Sequence, residues 1–424
     1  MLKYLWTVTQ DLFVTVTLVT WMHAVLGRLF DKYGRRFHGA GIIAGVVAAL
    51  ILAAVKGTSN RIVSSRWNHY IYIFIMGFSL LFILFYLLFG RRGRAKAPTC
   101  LWGAGLSAAL IFYALPGVVL YPFNFNTMGE GYLSSYYMAR LAGWLLALLL
   151  LLVYSRMLYN CAVHIRPLGI VAGLLCAGAL VNGAYCFGRY FAPWVNRAKW
   201  LGWSIRYTDE AYGWMGNWMM FTANHAMLFI WLVVILAAIS LIICFAQNIK
   251  VTEPYDNPAQ RRKLRAIHRS YRRMAGVALG CVALVTVCLT AIKSYDTRVI
   301  ELSAPETFTV DDDNIYVPVE NVNDFHLHRF EYTTPNGVAV RWIVVRKPNS
   351  AAYGVGLDAC DVCGNAGYYE RNGQVVCRRC DVVMNINTIG FKGGCNPIPL
   401  SYEVGEGSLV FKLADIIAGE KEFK

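Results

Sequence analysis

Acidic residues are nearly missing from the first 293 positions, which hold 7 Asp or Glu against 28 Lys or Arg. Charge of either sign is thin over that stretch, and this excludes a soluble domain with a charge-covered surface there. The sequence also has no His directly after a Cys-x-x-Cys pair. Gly364 and Asp381 stand in those places, so covalent c-type haem attachment, which needs that His, is not expected. No Ser/His/Asp set and no phosphate-cradling glycine loop rises above chance, so hydrolase or ATPase chemistry has no support. What is abundant is apolar surface: 57% of the 424 residues are hydrophobic, far too many for a disordered chain.

The net charge of +15 hides two regions. Residues 294–424 hold 12 basic and 18 acidic residues, the balance of a soluble domain. The basicity therefore belongs to the apolar part and is no argument for nucleic acid. A membrane-crossing helix needs about 20 apolar residues. Eight stretches qualify, at 7–27, 39–57, 69–90, 101–121, 134–155, 167–187, 221–246 and 274–293. The first is too long and starts too late for a cleaved signal peptide and is expected to stay in the mature protein.

Lys and Arg set the orientation. The loops 28–38, 91–99, 156–166 and 247–273 carry 18 basic residues, the opposite set 8. The first set is expected in the cytoplasm, where anionic lipid headgroups also favour the run Arg261, Arg262, Lys263, Arg265, Arg269, Arg272 and Arg273. With eight spans both termini then lie outside. The aromatic outer loop 188–220 suits an interfacial belt. Among polar residues inside spans, Asp11, His23, Asn224 and His225 stand out. His69 and His225 share an expected depth, the placement that would let a b-type haem sit between them.

The tail reads as mostly β, with strands expected at 315–319, 328–333, 338–346 and 374–377, tight turns at Asn336-Gly337 and Asn372-Gly373, and a short helix at about 411–418. Seven of twelve cysteines lie scattered in or near spans as small packing residues. The other five cluster as Cys360-x-x-Cys363, Cys377-x-x-Cys380 and Cys395. Two such knuckles facing each other across a hairpin can place four sulfurs in a tetrahedron, a geometry that suits zinc, a single rubredoxin-like iron or a small iron–sulfur cluster. Outside the cytoplasm the same pairs could instead be disulfides. Cys395 is a spare thiol, a fifth ligand or a resolving thiol. His326 and His328, two apart in an expected strand, would share one face about 6.6 Å apart and could seat a second metal.

The expected fold is thus a polytopic α-helical membrane protein of about eight transmembrane helices, residues 1–293. A small mostly-β extracytoplasmic domain, residues 294–424, follows, with a zinc-ribbon- or rubredoxin-like site of four cysteines.

One stretch resembles a known family. His328-Arg329-Phe330-Glu331-Tyr332, Leu357-Asp358-Ala359-Cys360-x-x-Cys363-Gly364, Gly367-Tyr368, Val376-Cys377-x-x-Cys380, and Ile389-Gly390 to Gly393-Gly394-Cys395-Asn396-Pro397-Ile398-Pro399 are similar to the FtrD-like membrane iron–sulfur proteins over roughly 320–400. The resemblance implies a part in bacterial iron uptake at the inner membrane, beside an iron permease and a periplasmic iron-binding protein. It implies Cys360, Cys363, Cys377 and Cys380 as metal ligands, with Cys395 a candidate fifth. The cofactor would be an iron–sulfur cluster or a single iron, with zinc or copper as alternatives better suited to an outer compartment. Besides lipid, the permease and the binding protein are the expected partners. Two rival readings stand beside this one: a transmembrane thiol–disulfide reductase, and a metal permease with the tail as a loading domain.

Overall fold

Long uncharged runs can satisfy their backbone groups inside hydrocarbon only as helices, and the first part of the chain does so. The structure is a computed structural model describing residues 1–58, 64–90, 95–124, 133–191, 213–298, 300–348, 350–371, 373–379 and 382–424. It divides into two compact units, the first made of Met1–Phe125 and Ser135–Thr297, the second built on Arg298–Lys424.

In the first unit the helices are α1 (Leu2–Thr58), α2 (Ser64–Leu88), α3 (Lys96–Leu120), α4 (Ser135–His164), α5 (Leu168–Cys186), α6 (Gly213–Asn224), α7 (Ala226–Gln247) and α8 (Pro258–Val287, carried through a π turn towards Asp296). Among the described residues, all but the short α6 are long and apolar enough to cross a bilayer, seven helices in all. The chain is a multi-pass membrane protein.

The first of those seven is two spans. An unbroken helix of 57 residues would run about 85 Å, far beyond a bilayer. The helical path breaks at Phe30 and Asp31, the latter with φ 49°, and the chain turns back. His23 Nδ1 and His38 Nδ1 lie 3.0 Å apart, where a straight helix would hold them about 22 Å apart. Counting its two arms separately, the seven candidate membrane helices give eight helical segments among the described residues. The turn is tight enough to dictate a residue: a Cβ on Gly34 would sit 2.1 Å from the Leu26 carbonyl oxygen. Arg28 reaches across it and donates to the carbonyl oxygens of Ala162 and Ile165, at 3.2 and 2.6 Å, satisfying groups left open at the end of α4. The seventh expected span, 221–246, is interrupted, because the helix halts at Asn224 and restarts as α7 after His225.

Among its described residues the second unit carries nine strands: β1 (Thr309–Asp311), β2 (Asn314–Pro318), β3 (His328–Thr333), β4 (Ala339–Arg346), β5 (Tyr353–Leu357), β6 (Tyr368–Arg371), β7 (Gln374–Cys377), β8 (Glu403–Val404) and β9 (Ser408–Lys412). They form sheets ordered β1-β2-β9-β8, β3-β4-β5 and β6-β7, followed by a short helix, α9 (Leu413–Ala418). Trp342 stacks on Phe330 at 5.6 Å and meets Phe411 at 6.0 Å, joining the first two sheets in one core. A second cluster is built around the cysteines: Ile343, Val345, Val375, Ile389 and Met384 pack with Cys360, Cys363 and Cys377. The turn at Asn336-Gly337 forms, with Gly337 at φ 79°. Of the other Asn-Gly step, Gly373 has φ 71° and Asn372 lies outside the described residues.

Candidate metal centre

β5 delivers the chain, buried on both faces, to Asp358 and then to the first cysteine knuckle. There the Cys363 amide donates to Cys360 Sγ at 3.1 Å. Cys360 and Gly364 exchange two backbone hydrogen bonds of 3.1 and 2.9 Å, closing a loop that needs Gly364 at φ 65°. The second knuckle starts at the end of β7, and the pairing of Tyr368 with Cys377 sets its register. Two bonds tie the knuckles together. The Arg378 amide donates to the Gly367 carbonyl at 2.9 Å, and Arg379 donates to the Cys363 carbonyl at 3.2 Å.

The outcome is a cluster of three buried thiols. The sulfurs of Cys360, Cys363 and Cys377 lie within 4.8 Å of one another. Cys380 lies outside the described residues. Cys395 packs beside the cluster, but its sulfur is not within that group. Its carbonyl accepts a 2.7 Å hydrogen bond from the Tyr368 hydroxyl. Burial and the neighbouring Cys360 thiol push the Tyr368 phenol up, which keeps it protonated as a donor. The donor set suits a thiophilic ion. Soft sulfurs converge in an apolar shell, and an amide already points at one of them, the arrangement that tunes thiolate ligands.

A buried ion network braces this site from below. Asp358 is fully buried. Its carboxylate accepts from Arg329 Nε at 3.0 Å, from Arg341 Nε at 3.2 Å and from the Tyr368 amide at 2.7 Å. Burial pushes the carboxyl up, and the Arg329 guanidinium and the Tyr368 amide pull the other way. Arg329, itself 1% exposed, also donates to Ser303 and to the Tyr368 carbonyl. One carboxylate thus fixes the strand ahead of the first knuckle to β6, the partner of the strand that leads to the second. Spacing rules do not single out Asp358. Its position two residues before Cys360 and the apolar run preceding it are the available signals.

The two tail histidines are not brought to a common site. β3 begins only at His328. His326 is exposed and contacts Glu370 at 2.9 Å, which raises its pKa. His328 is buried between Glu306 at 3.0 Å and Asp324 at 2.7 Å. Both of its nitrogens are therefore taken. In the membrane unit, His225 is exposed, stacks on Phe221 at 4.6 Å and contacts the Phe221 carbonyl at 3.1 Å. The side chain of His69 lies outside the described residues. Asp11 accepts from Tyr121 at 2.6 Å. His23 meets His38, which the sequence does not mark, and His38 contacts Ser107 Oγ at 2.7 Å.

No curated protein and no solved structure matches the chain. The model of one family, described as membrane iron-sulfur containing protein FtrD-like, matches residues 322–423. That span contains the three-thiol cluster and its bracing carboxylate, and over it the C-terminal part of this membrane protein is similar to the FtrD-like proteins.

Proposed function

We propose that the chain is the membrane component of a bacterial iron-uptake system, working beside an iron permease and handling electrons or metal through its tail. The observation that carries this reading is the set of three buried sulfurs within 4.8 Å inside the FtrD-like stretch. Cys360, Cys363 and Cys377 would hold the metal, with Cys380 as the expected fourth ligand. An iron bound by such thiolates supplies a one-electron carrier. A permease that passes one oxidation state of iron needs such a carrier near its entrance.

The protein's own residues have definable parts in this. The Cys363 amide and the buried setting favour one charge state of the sulfurs over another. Asp358, held by two arginines, keeps the knuckle strands in register. The tail would lie outside the cytoplasm, following the basic loops on the opposite side, and in a Gram-negative bacterium that compartment is the periplasm.

The test is iron uptake by bacteria lacking this chain and complemented in trans. Wild type should restore uptake from limiting ferric iron, while Cys360→Ser and Cys377→Ser, made to equal level in the membrane, should not. Full uptake with both serine variants would reject the reading.

A further inference from the structure

The membrane unit holds a partly open cavity of about 410 Å³, within the usual range of small-molecule sites, about 300–1,000 Å³. Its lining comes from the start of α1, the end of its second arm, the first half of α2, the end of α3, the end of α5, the start of α7 and the segment that continues α8. From Gly117 down to Leu110 the wall descends along α3 by about 10 Å, into the depth of the hydrocarbon.

The charged and polar groups there are unevenly used. Lys293 donates to Gln10 at 2.8 Å, and Asp11 accepts from Tyr121. Lys56 has no ion-pair or hydrogen-bond partner among the described residues. The Asn182 amide nitrogen is buried and donates to nothing among them. Two spare donors thus line a space whose wall carries Thr15 and Asn68 beside the larger Tyr72, Tyr113, Phe229 and Val233. An orphaned buried donor costs about 1–3 kcal/mol, so the fitting guest brings acceptor oxygens on an apolar body. A phospholipid phosphate belongs at headgroup level and has no place at the depth of Leu110 and Val233. A flat ring bearing carbonyl oxygens, dissolved in the bilayer, meets all the conditions.

We propose that this cavity binds the head ring of a lipid-soluble quinone. The site stands on the membrane unit alone, while its purpose rests on the electron-transfer reading above. In that reading a bound quinol loses its two hydroxyl protons and two electrons, two ferric ions are reduced to ferrous, and the quinone remains.

The test uses the full-length chain in lipid nanodiscs, titrated with decylubiquinone and followed by tryptophan quenching against empty nanodiscs. Saturable binding is expected, equal in wild type and in Cys360→Ser, so that failure of the metal reading leaves this result intact. Lys56→Met should weaken binding on the order of tenfold or more. Gly117→Leu is the second variant, since a Cβ there meets nothing within 4 Å and a leucine suits the helix better than glycine. It should abolish saturable binding and leave the thermal melt at or above the wild-type value. Absence of saturable binding in wild type, unchanged affinity in both cavity variants, or loss of binding in Cys360→Ser alone would each overturn the proposal.

Discussion

At the scale of single residues, Asp358 is the position on which the tail depends most. It is a buried carboxylate shared by Arg329 and Arg341, and removing one partner of such a group leaves charges uncompensated at a cost of about 3–5 kcal/mol. Asp358→Ala should therefore expose the β3, β4 and β5 amides to hydrogen exchange by several hundredfold, and loss of the metal should follow. Exchange unchanged in those strands would show that the network is dispensable. The cysteines behave differently. Cys360→Ser keeps size and removes a soft ligand, so the fold should persist while bound metal falls to background, as measured by elemental analysis of the purified chain. Of these residues only the cysteines are legible as a site, because a repeated Cys-x-x-Cys spacing has few meanings. Asp358 and Arg329 look like any surface pair until the strands bring them together. The histidines mislead for a related reason. Spacing of two places His326 and His328 on one face only if both are in a strand, and β3 starts at the second.

At the scale of elements, the reversal in α1 is the sharpest departure from regularity. Its sequence signal is the basic stretch 28–38 between two apolar runs, which is enough to expect two spans but not a turn this short. The turn admits Gly34 because any Cβ meets the Leu26 carbonyl. A His23→Cys, His38→Cys double variant should form an intramolecular disulfide in membranes, since these positions are adjacent in the hairpin and about 22 Å apart in a straight helix. Failure to cross-link under oxidation would contradict the hairpin. In the tail, β2, β3, β4 and β7 lie within a residue or two of their expected limits, because alternating apolar residues mark them. β5 carries no such mark. Its Tyr-Gly-Val-Gly-Leu sequence lacks the side chains that identify a strand, and the glycines are there for closeness: a Cβ at Gly356 would lie 2.7 Å from Pro397 Cβ and 2.8 Å from the Ile398 carbonyl oxygen. Gly356→Val should push away the segment that follows Cys395, costing about 1–3 kcal/mol, read as a lower melting temperature of the isolated full-length protein.

At the scale of the whole molecule, the proposed function places the C-terminal domain outside the cytoplasm, a reading that rests on an even number of spans and on the excess of Lys and Arg in the loops opposite. Reporter fusions at the C-terminus should be active as an exported phosphatase and silent as a cytoplasmic fluorophore, and fusions within 250–257 should give the reverse. The central claim is that the thiol cluster holds a metal able to change its oxidation state. Its most direct test is anaerobic purification of the full chain, with elemental analysis and visible absorption read on the same sample. Iron at a fixed ratio to protein, with a sulfur-to-metal charge-transfer band that bleaches on reduction and returns on oxidation, is the result this account predicts. Zinc alone, with a featureless spectrum that reductant does not alter, would contradict it and leave the tail a structural module.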